Sequence, residues 1–204
     1  VVSDINLLTT LPKREIVCGY GEIFKHSLIA NKKEFNYLEK NKFKVLNLQT
    51  PYIEKAIADS CKIKKAIVQQ DENEKNLRKV LNLGHTFAHA YEAALGYSKK
   101  LNHGEAVILG IKSAAKFSLE NKFLTKKNYN KIHLHINHLN LPNDLSKFFS
   151  KKNINSILNF MKSDKKNNSA NINLVLLKDM GKPLININFK IEKIRKFFKK
   201  ELLN

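Results

Sequence analysis

The stretch RKVLNLGHTFAHAYEAALG, residues 78–96, limits what this chain can fold into more than any other. It is apolar enough for a buried helix, yet it carries Arg78, Asn82, His85, His89 and Glu92. At the α-helical step of about 100° per residue, with Arg78 at zero, Asn82 falls near ~40°, His85 near ~−20°, His89 near ~20° and Glu92 near ~−40°. All five share one narrow stripe. Val80, Leu81, Leu83, Phe87, Ala88, Ala90, Tyr91, Ala93, Ala94 and Leu95 occupy the rest, so the pattern predicts one central helix, apolar on nearly every side. A solvated face would typically carry Lys and Glu, whereas this stripe is built mainly of Asn and His. Polar groups taken out of water need partners. The stripe therefore reads either as the lining of a cavity or as a hydrogen-bonded or half-exposed structural face, and it does not by itself separate the two.

The surrounding chain reads as mostly helical. Pro12 opens a long helix running to about residue 30. Thr50-Pro51 reads as an N-cap with proline at the first helical position, starting a helix to about Gln70. QDENEKN is a polar turn, and Gly96 is placed to end the striped helix. Helical periodicity resumes from Gly104 to about Asn121 and again from 125 to 139, with Pro142 closing the latter. NINLVLLK and PLININF alternate around DMGK, which predicts a β-hairpin over about 172–188. A basic amphipathic helix ends the chain. The expected class is mainly α, one domain with one small hairpin.

The formal charge of +19 raises the question of nucleic acid or acidic lipid. The lysines, however, are spread along the whole chain beside many Asn and Ile residues, as a chain-wide usage bias would spread them. There is no arginine-rich stripe, zinc finger or aromatic RNA-binding signature. Specific nucleic-acid recognition is not expected; non-specific adhesion to polyanions is. Cys18 and Cys61 form no metal motif or disulfide framework and read as reduced thiols of a cytoplasmic setting. No apolar run approaches the length of a membrane span, and no signal-peptide pattern opens the sequence.

Three further places carry chemistry. In GYGEIFKHSLIA, Glu22 and Lys25 are three apart on one helical face, beside two glycines that permit close backbone approach. In LNHGEAV, His103 stands just before a helix, and Lys64, Asp71 and Glu74 precede Arg78. Glu22, His85 and His103 are a candidate metal set, two imidazoles and a carboxylate that leave a position open for water or substrate. His85 and His89, at i and i+4, are an alternative ligand pair. No H-E-x-x-H motif is present, so nothing points to a zinc protease. Lys25, Lys64, Arg78 and Asn82 together are suited to hold a phosphate or carboxylate. Taken singly, most lysines here are solvated charges, and His133, His135 and His138 read as ordinary polar or capping residues.

TLPKREIVCGYGEIFKHSLI, KKAIVQQDENEKNLRKVLNLGHTFAHAYEAALGY, LNHGEAVILGI and MKSDKKNNSANINLVLLKDMGKP resemble, in order and spacing, successive blocks of the 3-dehydroquinate synthase family. The resemblance covers nearly the whole chain and falls on that family's C-terminal, mainly α-helical domain. It implies conversion of the seven-carbon keto-acid sugar phosphate DAHP to 3-dehydroquinate and phosphate, in the shikimate pathway that supplies aromatic amino acids. It implies NAD and a divalent metal, usually zinc with cobalt as the alternative, held by Glu22, His85 and His103. Lys25, Lys64, Arg78, Asn82 and His89 would contact substrate, with a further cation from Lys165 or Lys166. Glu74 and His89 would handle protons. Leu7, Leu8, Thr9, Thr10 and Cys18 would form a fringe of the cofactor site.

The same resemblance implies that the family's N-terminal, glycine-rich NAD domain lies outside this sequence, with VVSD as the last strand leaving it. A separate chain is one source of such a domain, and a homodimer is the expected assembly. Asn76 stands where the family usually has Gly, Gly21 where it has Ala, and Cys18 where it has Ser or Asn; none of these removes a catalytic group. The alternatives are a related sugar-phosphate cyclase, or a non-catalytic remnant kept as a binding module.

Overall fold

The computed structural model describes residues 3–163 and 171–202. Eight α-helices are joined by short 3₁₀ segments and one antiparallel hairpin: α1 Lys13–Ala30, α2 Lys32–Leu46, α3 Tyr52–Gln70, α4 His85–Ala94, α5 His103–Glu120, α6 Lys126–His138, α7 Ile154–Ser163, β1 Asn171–Asp179, β2 Lys182–Lys190 and α8 Ile191–Glu201. The mainly α class and the hairpin are as expected. Helices α2 and α7 were not anticipated. Each has its own local cause: Asn31 caps α2 by accepting from the Glu34 amide, and α7 buries Ile154, Ile157, Leu158 and Met161 along one side.

The helix expected over 78–96 is not continuous. Leu77–Asn82 is a 3₁₀ segment, the chain turns at Leu83 and Gly84, and α4 starts at His85. Gly84 sits at φ 81°, in the left-handed region that glycine alone enters cheaply. The end of α4 is as expected. The Tyr97 amide donates to Glu92 O at 2.8 Å and the Gly96 amide to Ala93 O at 3.0 Å, a Schellman closure with Gly96 at φ 64°. The central helix is α5 rather than α4, with twelve buried residues from Gly104 to Ser118. Thr50-Pro51 also departs from expectation. The bond is cis, Pro51 occupies the N-cap position of α3, and the Thr50 hydroxyl bonds the Glu54 carboxylate rather than a backbone amide.

Against α5 pack α1, α4, α6 and the hairpin. An aromatic cluster of Phe87, Tyr91, Phe117, Phe197 and Phe198 ties α8 to α4 and α5. The hairpin is anchored at both levels: the Leu177 amide donates to Ser118 Oγ at 3.1 Å and the Gly181 amide to Leu28 O at 2.7 Å. Ser3 and Asp4 lie outside any strand, and Val1 and Val2 of VVSD lie outside the described residues. Asp4 instead caps the 3₁₀ segment Ile5–Thr10. No helix among the described residues is long and apolar enough to cross a membrane.

Candidate active site and metal centre

Two glycine contacts on α5 assemble the site. A Cβ on Gly104 would lie 2.3 Å from Cys18 Cα, so α1 and α5 touch backbone to backbone there. Gly21 faces the same crossing, where an added Cβ would meet Gly104 O at 2.9 Å. This brings Glu22 of α1 beside His103 at the start of α5. One turn and a half further along, a Cβ on Gly110 would lie 2.2 Å from Gly84 O, which seats the first residue of α4, His85, against the same helix. Gly19 plays no such part: among the described residues nothing lies within 4 Å of its added Cβ, so only one of the two α1 glycines is needed for close approach.

Glu22, His85 and His103 each offer a ligand atom, and these atoms lie within 4.8 Å of one another. Each side chain is oriented by a neighbour. Lys25 Nζ donates to Glu22 Oε2 at 2.7 Å, leaving Oε1 turned toward His85 Nε2 at 3.7 Å. His103 Nδ1 meets Glu92 Oε2 at 3.0 Å, which frees its Nε2. Orienting partners of this kind are what metal-ligating imidazoles and carboxylates carry. Glu22 Oε1 is buried and has no hydrogen-bond partner among the described residues, a costly state that a cation would relieve. The donor set and this orphaned oxygen fit a divalent metal. A second trio, His89, Glu92 and His103, also lies within 4.8 Å, but there the Glu92 carboxylate is already engaged by His103.

The electrostatics favour a neutral His85 beside an ionised Glu22. Burial, with Lys25 nearby, pushes His85 down to about 4 despite the Glu22 carboxylate. His26 is pushed down to about 4 by the same two causes. Burial raises Glu22, but Lys25 and His85 more than offset it and hold the carboxyl below its ordinary range. Burial lowers Lys25 against the opposing pull of Glu22.

A cavity of about 410 Å³ opens beside the metal set. Its walls include Lys25, His26, Lys64, Glu74, Arg78 and Asn82. A second, of about 400 Å³, shares Glu74, Asn82 and His85 and adds Lys79, Thr86, His89, Asn173 and Asn186. The stripe residues thus do line cavities, although the backbone carrying them is broken: the 3₁₀ segment and the turn at Gly84 leave Asn82 and His85 on the same side. Asn82 Nδ2 donates to Glu74 Oε1 at 2.7 Å. Arg78 is steadied through its guanidinium on Glu72 O at 2.6 Å and its amide on the Asp71 carboxylate at 3.0 Å. Asp71, not assigned a role before, therefore organises the turn that aims Arg78.

Lys79, Asn173 and Asn186 were missed by the sequence reading. Lys79 Nζ donates to Asn186 Oδ1 at 3.2 Å, joining the turn to β2. The alternation of Asn with Ile in both strands was the available signal, since it marks the polar face of the hairpin. Cys18 lines a third cavity with Glu22 and His103, and Leu8 lines an apolar groove whose wall includes Glu22. Thr9 and Thr10 turn their hydroxyls back onto their own 3₁₀ segment, at Asn6 O and Leu7 O. Lys165 and Lys166 lie outside the described residues. His135, read as an ordinary polar or capping residue, is a buried polar one: it is fully buried, stacked on Phe24, and bonded to Tyr20 and Glu39.

The architecture is shared with solved enzymes. It superposes on a 2-deoxy-scyllo-inosose synthase complexed with carbaglucose-6-phosphate, NAD⁺ and Co²⁺ with a TM-score of 0.82 at 22% identity, covering 98% of this chain and 56% of that one. The 2-epi-5-epi-valiolone synthase of Streptomyces hygroscopicus, with NAD⁺ and Zn²⁺ bound, gives 0.80 at 20% identity, covering 97% and 54%. Fold and site together define a mainly α-helical domain that carries a His–His–carboxylate cluster.

The family follows from sequence. Residues 19–167 match the model of the 3-dehydroquinate synthase C-terminal domain. The 3-dehydroquinate synthase of Pelagibacter ubique is 59% identical over 202 residues, 99% of this chain and 55% of that protein. That of Thermoanaerobacter pseudethanolicus is 40% identical over 182 residues, 89% and 50%. The chain belongs to the 3-dehydroquinate synthase family and spans about half the length of the curated relatives it matches.

Proposed function

We propose that this chain is the metal- and substrate-binding half of a 3-dehydroquinate synthase, acting on DAHP to give 3-dehydroquinate and phosphate. The observation that carries the reading is the convergence of Glu22, His85 and His103 beside a cavity walled by Lys25, Lys64, Arg78 and Asn82, in a chain of this family. The three first-named residues would hold one divalent cation, zinc or cobalt, which supplies Lewis-acid polarisation of a substrate hydroxyl. NAD, the redox agent, would be held mostly by residues other than these 204, with Leu7 to Thr10 and Cys18 at its fringe.

The remaining work falls to the chain's own side chains. Lys64 and Arg78 bring positive charge to a phosphorylated keto acid, and the fixed fork of Arg78 suits a carboxylate or phosphate. Asn82 holds the Glu74 carboxylate in place, so that Glu74 can take a proton from bound substrate. His89, on the wall of the adjoining cavity, would exchange a second proton. A cytoplasmic location and a homodimeric assembly complete the proposal.

The test is reconstitution. The 204-residue chain, supplied with zinc, NAD and DAHP, is assayed for phosphate release with and without a separately produced N-terminal half of the Pelagibacter relative. Turnover only on mixing supports the proposal. No turnover in either case, with both parts folded and zinc bound, favours a non-catalytic binding module.

A further inference from the structure

His26 is among the most buried polar side chains of the molecule, 4% exposed, and it stands on α1 one turn after Glu22. Its Nδ1 lies 2.6 Å from Ser60 Oγ on α3. Its Nε2 is shut off from solvent and has no hydrogen-bond partner among the described residues. Burying such a group unpaired is costly, and a buried histidine without a partner calls for a reason. Glu22 Oε2 lies 3.9 Å away.

That oxygen already accepts Lys25 Nζ at 2.7 Å, and a carboxylate oxygen has a second lone pair to offer. The other oxygen, Oε1, is the one turned toward His85. The carboxylate is thus divided: one oxygen faces two donors on its own helix, the other faces the metal position. A hydrogen on Nε2 would face this carboxylate, and Ser60 Oγ would then donate to Nδ1. Nε2 is closed to solvent, so it serves the carboxylate rather than a ligand in the open cavity.

We propose that His26 is a positioning residue for the metal centre. Its Nε2–H donates to Glu22 Oε2 when the cation is bound, closing the present gap, and Ser60 holds the ring in the tautomer able to do so. The two donors on Oε2 present Oε1 alone to the metal. The inference rests on the reading that Glu22, His85 and His103 hold a divalent cation.

The experiment is zinc affinity of the 204-residue chain, by competition with a chromophoric chelator, alongside thermal melting of the metal-free protein. Outer partners of metal ligands are worth about 10–100-fold in affinity. His26→Phe should weaken zinc binding by about that factor, and His26→Gln, which restores an N–H donor, should recover most of it. Glu22→Ala is the reference. Loss of zinc in Glu22→Ala with zinc affinity unchanged in His26→Phe overturns the role of His26 alone. Full zinc binding by Glu22→Ala overturns the metal reading and this inference with it. Should His26→Phe not fold, Ser60→Ala decides, because it leaves the ring in place: several-fold weaker zinc binding with an unchanged melting temperature supports the proposal, and unchanged affinity overturns it.

Discussion

Gly104 and Cys18 are in backbone contact across the α1–α5 crossing, so close that a methyl on Gly104 would sit 2.3 Å from Cys18 Cα. Neither helix can yield without moving Glu22 away from His103. Gly104→Ala is therefore expected to cost about 1–3 kcal/mol, the usual range for forcing a group into a packed contact, and to weaken zinc binding as well. Gly19→Ala, one helical position from the same crossing but facing open space, should instead be neutral or stabilise by about 0.5–1 kcal/mol. Urea denaturation of both variants checks this; equal effects would contradict the packing account.

The two candidate metal trios share His103 and differ in the rest. Glu22→Ala and His85→Ala should each abolish tight zinc uptake, while His89→Ala should retain a stoichiometric ion. Metal content after dialysis is the measurement. Loss in His89→Ala with retention in His85→Ala would assign the ion to His89, Glu92 and His103.

Asn82→Leu removes the 2.7 Å bond to Glu74 while keeping the volume. Asn82 is only half-buried, so folding should suffer by no more than about 1 kcal/mol. In the reconstituted enzyme, turnover should fall by about 10²-fold or more if Glu74 handles protons as proposed, because its carboxylate loses a hydrogen bond that orients it. Steady-state kinetics and a thermal melt on the same sample separate the two. Preserved activity with collapsed stability would make the contact structural.

The metal-free protein should lose stability in mild acid. His26 is pushed from 6.5 to about 4 by burial and Lys25, with Glu22 opposing and Lys64 of α3 adding to the effect. Below pH 6.5 the unfolded chain takes up a proton at this ring that the folded chain refuses, so stability falls as pH drops and levels off near 4. The full effect is on the order of 3 kcal/mol. His85, pushed down to about 4, and His135, also lowered by burial, act in the same direction, while Glu22, held below its ordinary range, adds to the loss only at still lower pH. Denaturation midpoints from pH 7.5 to 4.5 should decline more steeply for the wild type than for His26→Gln.

The local elements were largely legible from the residues. Pro12 at the mouth of α1, Gly96 at φ 64° after α4, and the Asn–Ile alternation of the hairpin each act through their own backbone or their nearest neighbours. Hydrophobic periodicity also showed that Arg78, Asn82, His85 and His89 belong on one side. It could not show that a 3₁₀ segment and a turn at Gly84 interrupt the helix, because Gly84 adopts that conformation where its carbonyl meets Gly110 of α5, 26 positions away in sequence. Helix α2 escaped for a similar reason: its Lys-rich pattern is weakly apolar, and Phe35, Leu38 and Val45 become a core face only when packed on α1 and α3. The pairing of His26 with Ser60 and the contribution of Asn173 and Asn186 to the cavity were decided by tertiary structure alone. Spacing along a chain specifies which side chains share a face; which faces meet is settled by long-range packing, where the contacts of two glycines on α5 outweigh any local preference.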